Sequence, residues 1–230
     1  MRIGIIAAMP GELKPLVRGW VKMPVARGSG IRMWQCERDG DELVAVCAGM
    51  GAAAARRAFT AAEFAGSLDV VLSVGWAGAL TAAAKPGDCY IVSQVIDAQT
   101  GERFALDAKG SCRLVTTVSV ADEREKNRLA ESYGAAIVDM EAAQVARLAH
   151  MRGIPVHAIK AVSDGLDARL PNLNPFIDID GQLKMPSFLA HVAVRPQYWA
   201  PLAQLGGNSA KAAVALAREI ERFLVGGIER

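Results

Sequence analysis

Between Ile3 and Met9 the chain carries no polar side chain, and Pro10 closes the run, so a short buried strand ending in a loop is expected. Segments 31–38 and 42–48 flank Asp39-Gly40, a residue pair suited to a tight hairpin turn. Gly49-Met50-Gly51 opens an alanine-rich stretch to about Ala65 that reads as a helix. From Asp69 to Gly75 the run is continuously apolar, the pattern of a strand covered on both faces. Residues 88–98 and 113–120 read as further strands, with a polar loop between Ala98 and Ser111. Asp122 is placed to cap a charged helix running to about Tyr133. A brief strand at 136–138, a helix from Glu141 to Met151 and a strand from Ile154 to Val162 follow. Helices near 187–194 and 208–225 finish the chain, the last capped by Asn208 or Ser209.

This alternation predicts an α/β fold: one domain over 1–230, a central mixed twisted sheet and helices on both faces. No repeat or linker divides the chain, and 230 residues can bury a substantial core. Gly165 to Met185 is rich in Pro, Asn, Asp and Gly; so long a loop inside a compact domain suits a lid or binding loop. A hydrophobic content of 52% excludes a disordered chain. The formal charge is only +2 and no basic stripe with interleaved aromatics occurs, so nucleic acid is not an expected partner. Cys36, Cys47, Cys89 and Cys112 form no CxxC pair and no ligand-like spacing with the histidines; reduced thiols are expected, and no metal. No run reaches the roughly 20 apolar residues of a spanning helix, and the first is too short for a signal-peptide core. A cytoplasmic protein without a transmembrane segment is expected.

Three acids, Glu12, Glu141 and Asp164, stand just beyond apolar strands, where ligands of α/β sheets gather. Singly, each also suits a helix cap or a dipole partner. Together with their surroundings they carry a resemblance. Ile3-Gly4-Ile5-Ile6-Ala7-Ala8-Met9 with Glu12, then Gly49-Met50-Gly51, Ser73-Val74-Gly75-Trp76-Ala77-Gly78, Val138-Asp139-Met140-Glu141-Ala142 and Lys160-Ala161-Val162-Ser163-Asp164 stand in the order found in methylthioadenosine/S-adenosylhomocysteine nucleosidases. The chain thus resembles the purine nucleoside phosphorylase/nucleosidase superfamily, whose members cleave the N-glycosidic bond of purine nucleosides.

That resemblance implies roles. Loss of a purine leaves a basic departing group and an oxocarbenium-like sugar, so an acid at N7 and a carboxylate near the ribose both help. Asp164 would be the general acid, protonated or sharing a proton near neutral pH, and Ser163 would orient it. Glu141 would grip the ribose hydroxyls, with Met140 packed beneath the sugar and Asp139 in the same segment. Glu12 would hold an attacking water, Lys160 would lie close to the nucleophile, and Gly75, Trp76 and Val120 would line the substrate pocket. Met140 and Ser163 also suit ordinary strand-end packing, and Trp76 a core or rim position. The glycines alone would also fit a dinucleotide turn, but the third glycine of that fingerprint is missing.

Two departures matter. Phosphorylases of the superfamily use several phosphate ligands, and here Ser73 stands where they place Arg and Trp76 where a small hydroxyl residue is usual. Arg27, Arg32, Arg56 and Arg57 are candidate substitutes, although solvated surface positions suit them better. Water is therefore the expected nucleophile, with phosphate kept as a candidate co-substrate and no organic cofactor. The C-terminal third, with Pro171-Asn172-Leu173-Asn174-Pro175-Phe176-Ile177-Asp178, Arg195-Pro196 and Leu205-Gly206-Gly207-Asn208-Ser209-Ala210-Lys211, resembles the hopanoid-associated phosphorylase branch, which is implied to release adenine from adenosylhopane and leave a ribosyl hopane. An adenosine derivative with an apolar 5′ extension is the expected substrate, with Leu166, Leu170, Leu173, Phe176, Ile177 and Phe188 against that group or simply over the core. A phosphate-dependent phosphorylase, a methylthioadenosine/S-adenosylhomocysteine nucleosidase and a non-catalytic nucleoside-binding protein stay open. The resemblance also implies a homodimer or larger homo-oligomer.

Overall fold

The structure, a computed structural model, describes residues 1–168 and 170–226. In chain order the elements are β1 (Arg2–Ala7), α1 (Pro10–Leu13), β2 (Val21–Lys22), β3 (Arg32–Arg38), β4 (Asp41–Cys47), α2 (Ala52–Phe64), β5 (Val70–Ala79), β6 (Cys89–Asp97), β7 (Arg103–Ala105), β8 (Cys112–Thr116), α3 (Glu123–Tyr133), β9 (Ile137–Asp139), α4 (Ala142–Met151), β10 (Val156–Asp164), α5 (Met185–Ala193) and α6 (Trp199–Gly226). Short 3-10 turns cover Asn174–Phe176 and Pro196–Tyr198.

All strands join one mixed sheet. The parallel order β4-β1-β5-β10 forms its centre, and the β3–β4 hairpin extends one edge. The hairpin turns at Asp39 (φ 52°) and Gly40 (φ 83°), the positive-φ pair expected from that dipeptide. On its other edge β10 meets β6 antiparallel, and β6, β8 and β9 run parallel back to the end of β5, so these strands close on themselves. Gly75 sits mid-way along β5 at φ 143°, a left-handed-side conformation that favours glycine, just before the strand changes its neighbour from β1 to β9.

Both faces are covered, as the uninterrupted apolar runs imply. Ile3, Ile5, Leu72 and Val74 pack with Ala212, Leu216, Ile220 and Phe223 of α6. Ile6, Val44, Val46 and Val71 pack on the opposite side with Phe59 of α2 and with Val145 and Leu148 of α4. Helix α3 is capped as expected: the Asp122 carboxylate accepts from Glu125 N–H, and Gly134 ends the helix in a left-handed conformation.

Three elements differ from expectation. Pro10 opens α1 instead of a loop, because proline's fixed φ and missing donor suit a first helical turn. The loop between Ala98 and Ser111 contains β7, an edge strand paired to β6. The last helix begins at Trp199, so Asn208 and Ser209 lie inside it and cap nothing. All four cysteines are free, and burial pushes the Cys47, Cys89 and Cys112 thiols up to about 12. No helix among the described residues is long and apolar enough to cross a membrane.

Candidate functional site

A cavity of about 250 Å³ opens at the carboxyl ends of the central strands. It takes Glu12 from α1, Trp76 from β5, Val120 from the loop after β8, Asp139, Met140 and Glu141 from the β9–α4 turn, and Ser163 and Asp164 from the end of β10. Eight of the ten residues expected at the site therefore meet in one wall, although they are spread from position 12 to 164.

Glu12 is buried and held by backbone alone: Oε2 accepts from Ala8 N–H at 2.9 Å and Met9 N–H at 2.6 Å, and Oε1 accepts from Trp76 N–H at 2.8 Å. Burial raises its pKa above the usual carboxylate range, against the pull of those N–H groups and of Lys160. A side chain at Gly75 would put its Cβ 2.7 Å from Glu12 Oε1, so glycine there makes room for the carboxylate. Gly75 lines no part of the cavity; its expected contact with substrate is replaced by this supporting one. The Trp76 indole lies against Gly11, where a Cβ would come within 2.9 Å of the ring.

Glu141 is likewise buried, with Oε1 accepting from Gly51 N–H at 2.6 Å and Oε2 from Met140 N–H at 3.3 Å. Burial, then the neighbouring Asp139 carboxylate, push its pKa up to about 8. Asp139 itself is engaged on both oxygens: it accepts from Thr116 Oγ1 at 2.6 Å and from Ala142 N–H at 3.0 Å, and it pairs with Lys160 Nζ at 2.8 Å. Lys160 does not reach the cavity wall. It lies beneath it, 1% exposed, where burial alone would lower its pKa but Asp139, Glu141 and Glu12 raise it. It is thus a buried counter-charge to these acids, Glu12 included, which neighbouring carboxylates need in a low-dielectric floor.

Asp164 is built differently. Its Oδ1 accepts from Ser163 Oγ at 2.7 Å, and its Oδ2 pairs with Lys126 Nζ at 2.5 Å. Lys126 also donates to Gly165 O at 2.6 Å and lines the cavity. Sequence reasoning missed this lysine. The available signal was its place on α3, three residues before the buried Leu129 and hence on the inner face of an otherwise charged helix.

Described residues of the 165–185 segment, Leu170, Leu173 and Leu183 among them, lie against the cavity. The Asn174 amide bridges Val120, accepting from its N–H at 2.9 Å and donating to its carbonyl at 3.2 Å. At the other end Gln182 Nε2 donates to Ala48 O at 2.7 Å, and Met50 N–H donates to Gly181 O at 2.8 Å. Leu170, Leu173 and Leu183 from this segment, with Leu205 and Ser209 from α6, complete an apolar wall. Phe176 and Phe188 pack edge to face on one another rather than in that wall. No Arg lines the cavity among the described residues. Arg27, Arg32 and Arg56 are exposed, and Arg57 is spent on Ala48 O and Asp180. Ser73 is buried in the sheet.

The sequence matches the family model of the phosphorylase superfamily over residues 2–117 and 113–184. The chain belongs to the phosphorylase superfamily. The enzyme class expected from the sequence, nucleosidases and nucleoside phosphorylases, is the class of that family. Solved structures share the fold. A mutant of the Helicobacter pylori 5′-methylthioadenosine/S-adenosylhomocysteine nucleosidase with 5′-methylthioadenosine in its active site is 15% identical, with a TM-score of 0.73 over 97% of this chain and 98% of that one. Futalosine hydrolase of the same organism is 16% identical, with a TM-score of 0.73 over 98% and 97%. The nucleosidase from S. pneumoniae with a transition-state inhibitor is 22% identical, with a TM-score of 0.70 over 97% and 98%.

Proposed function

We propose that this enzyme hydrolyses the N-glycosidic bond of an adenosine derivative carrying an apolar 5′ substituent, the adenosylhopane of hopanoid biosynthesis being the leading candidate. The observation that carries the reading is the convergence of Asp164, Glu141 and Glu12, from three separated strand ends, on one cavity closed by leucines.

In this scheme Asp164 delivers a proton to N7 as the C1′–N9 bond breaks and its electron pair moves into the purine. Ser163 and Lys126 orient the acid, and the Lys126 ammonium is placed to supply donor capacity to it. Glu141, next to Met140, is placed to hydrogen-bond the ribose hydroxyls, and positive charge developing on the ring draws its carboxyl toward the ionised form. Glu12 already takes two N–H groups on Oε2 but only one on Oε1, which leaves a lone pair there for a water. Water adds to C1′ through oxygen while Glu12 takes its proton, which returns through solvent to Asp164, and the products are free base and the reducing sugar.

Water is favoured over phosphate because three buried acids, Glu12, Asp139 and Glu141, line the cavity with no Arg among the described residues, and its one lining Lys, Lys126, is paired with Asp164. Structural relatives that are 5′-methylthioadenosine/S-adenosylhomocysteine nucleosidases support an adenine base, and the leucine-lined wall supports an apolar substituent. A homodimer or larger assembly in the cytoplasm is part of the same proposal. The test is chromatographic detection of adenine after incubation with methylthioadenosine and with a 5′-alkyl adenosine, each with and without phosphate. Faster release from the alkyl compound, indifferent to phosphate, is expected. Strict phosphate dependence would make the enzyme a phosphorylase, and tight binding without release would make it a binding protein.

A further inference from the structure

Helix α5 is a surface helix whose exposed side chains are apolar apart from Ser187. Phe188 and Val192 turn inward and are buried. Pro186, Ala190 and Ala193 are exposed, as are Met185 at 47%, Leu189 at 56% and, just past the helix, Val194 at 74%. At 100° per residue Pro186, Ala190, Ala193 and Val194 face solvent with the exposed Ser187 beside them, and the partly exposed Met185 and Leu189 carry the apolar surface round to the buried edge. Trp199, 56% exposed, extends the patch: its indole N–H donates to Val192 O at 3.0 Å and ties the start of α6 to the end of α5. Scattered apolar side chains are normal on a surface, but a continuous face of this kind marks an interaction site.

The charge around the patch says what it meets. From Gly181 to Arg218 there is no Asp or Glu, while Lys184, Arg195, Lys211 and Arg218 fall in the same stretch. Lys184 and Arg195 bracket α5, and Lys211 lies on α6. The nearest acids before the stretch, Asp178 and Asp180, are engaged, Asp178 with the N–H groups of Asp180 and Gln182 and Asp180 with Arg57. An apolar helix face bracketed by cations, with no acid in its own stretch of chain, is the arrangement that inserts shallowly into an anionic bilayer. The patch is also continuous with the cavity, since Leu183, Leu205 and Ser209 of the adjoining segments form its wall.

We infer that the α5 face, with Trp199 and the flanking basic residues, docks the enzyme on an anionic lipid surface. The docking needs no substrate and is measured without one. Full-length protein is sedimented with vesicles of phosphatidylcholine alone and with vesicles containing phosphatidylglycerol. Binding to the anionic vesicles, weakened by salt, is expected, together with a blue shift of tryptophan fluorescence that Trp199→Phe removes. Leu189→Glu/Val194→Glu, at positions outside the cavity wall, should lower vesicle binding by about tenfold or more with unchanged thermal unfolding. Absence of binding to either vesicle would overturn the inference, as would equal binding by the double variant. A change in oligomeric state on making that variant would overturn it too, by showing that a second copy covers the face.

Discussion

At one end of the cavity Glu12 and Glu141 are held by main-chain N–H groups; at the other Asp164 is held by two side chains, Ser163 and Lys126. Backbone donors at strand ends cannot move without moving the sheet. A lysine on a separate helix and a serine hydroxyl can both turn. The first pair is thus suited to fixed tasks, placing a sugar and a water, and the last carboxylate to a task in which its hydrogen bonds must be exchanged during each turnover. Buried charge is treated differently as well: Lys160 neutralises the fixed end from below, while Lys126 does so from within the cavity wall.

The contrast can be tested at both ends. Asp164→Asn should lower kcat by about 100- to 10,000-fold, the usual contribution of a general acid, in a protein that still folds but melts earlier because Lys126 loses its buried counter-charge; adenine release and a melting curve read the two effects. Gly75→Ala should damage the fixed end, since the new Cβ meets Glu12 Oε1 at a strained φ. A loss of about 1–3 kcal/mol in denaturant unfolding is expected. Lys126→Met should lower kcat about tenfold and displace the pH–rate profile with little change in KM, while Lys126→Arg restores part of the rate. An effect confined to stability would reduce Lys126 to a structural ion pair.

Glu141 supplies a pH test of the fixed end. Its pKa in the folded chain, about 8, exceeds the ordinary 4.5, so the folded state binds the extra proton between those values. Stability contributed by this group therefore falls as pH rises from about 4.5 to about 8. Glu141→Gln removes that dependence, so the variant should gain on the wild type across this window in denaturant titrations; parallel curves would contradict the assignment. The smallest effect is expected at the 165–185 segment. Asn174→Ala loses two hydrogen bonds to Val120 and should raise KM about threefold while leaving kcat in place.

Much of the fold and most of the site could be read from the chain. The Asp39-Gly40 turn, the Asp122 cap and the apolar runs of β1 and β5 are local signals, and each appears where expected. Glu12 and Asp164 follow β1 and β10, which flank β5 in parallel, so their meeting was legible once the α/β pattern was recognised; Glu141 follows β9, which meets the end of β5 antiparallel, and its arrival there was decided by the closure of the sheet. The role of Lys160 as a buried counter-charge was not legible because its partner, Asp139, is 21 positions away on another strand, and the two meet through the pairing of β5 with both β9 and β10. Lys126 looked like one charge among many on α3, and nothing within that helix reveals a partner at the end of β10.

The chain by itself determined where backbone conformation is set by a residue's own chemistry: turns needing positive φ, helix caps, and strands too apolar for either face to meet water. Tertiary structure decided the rest. Gly206-Gly207-Asn208 reads as a helix break, yet α6 runs through it because its inner residues pack on the sheet and its Leu205 closes the cavity. Packing outweighs a local penalty of about 1 kcal/mol per glycine. A buried charge obeys the same rule, since its partner is chosen by the geometry of the whole sheet and not by neighbours in sequence.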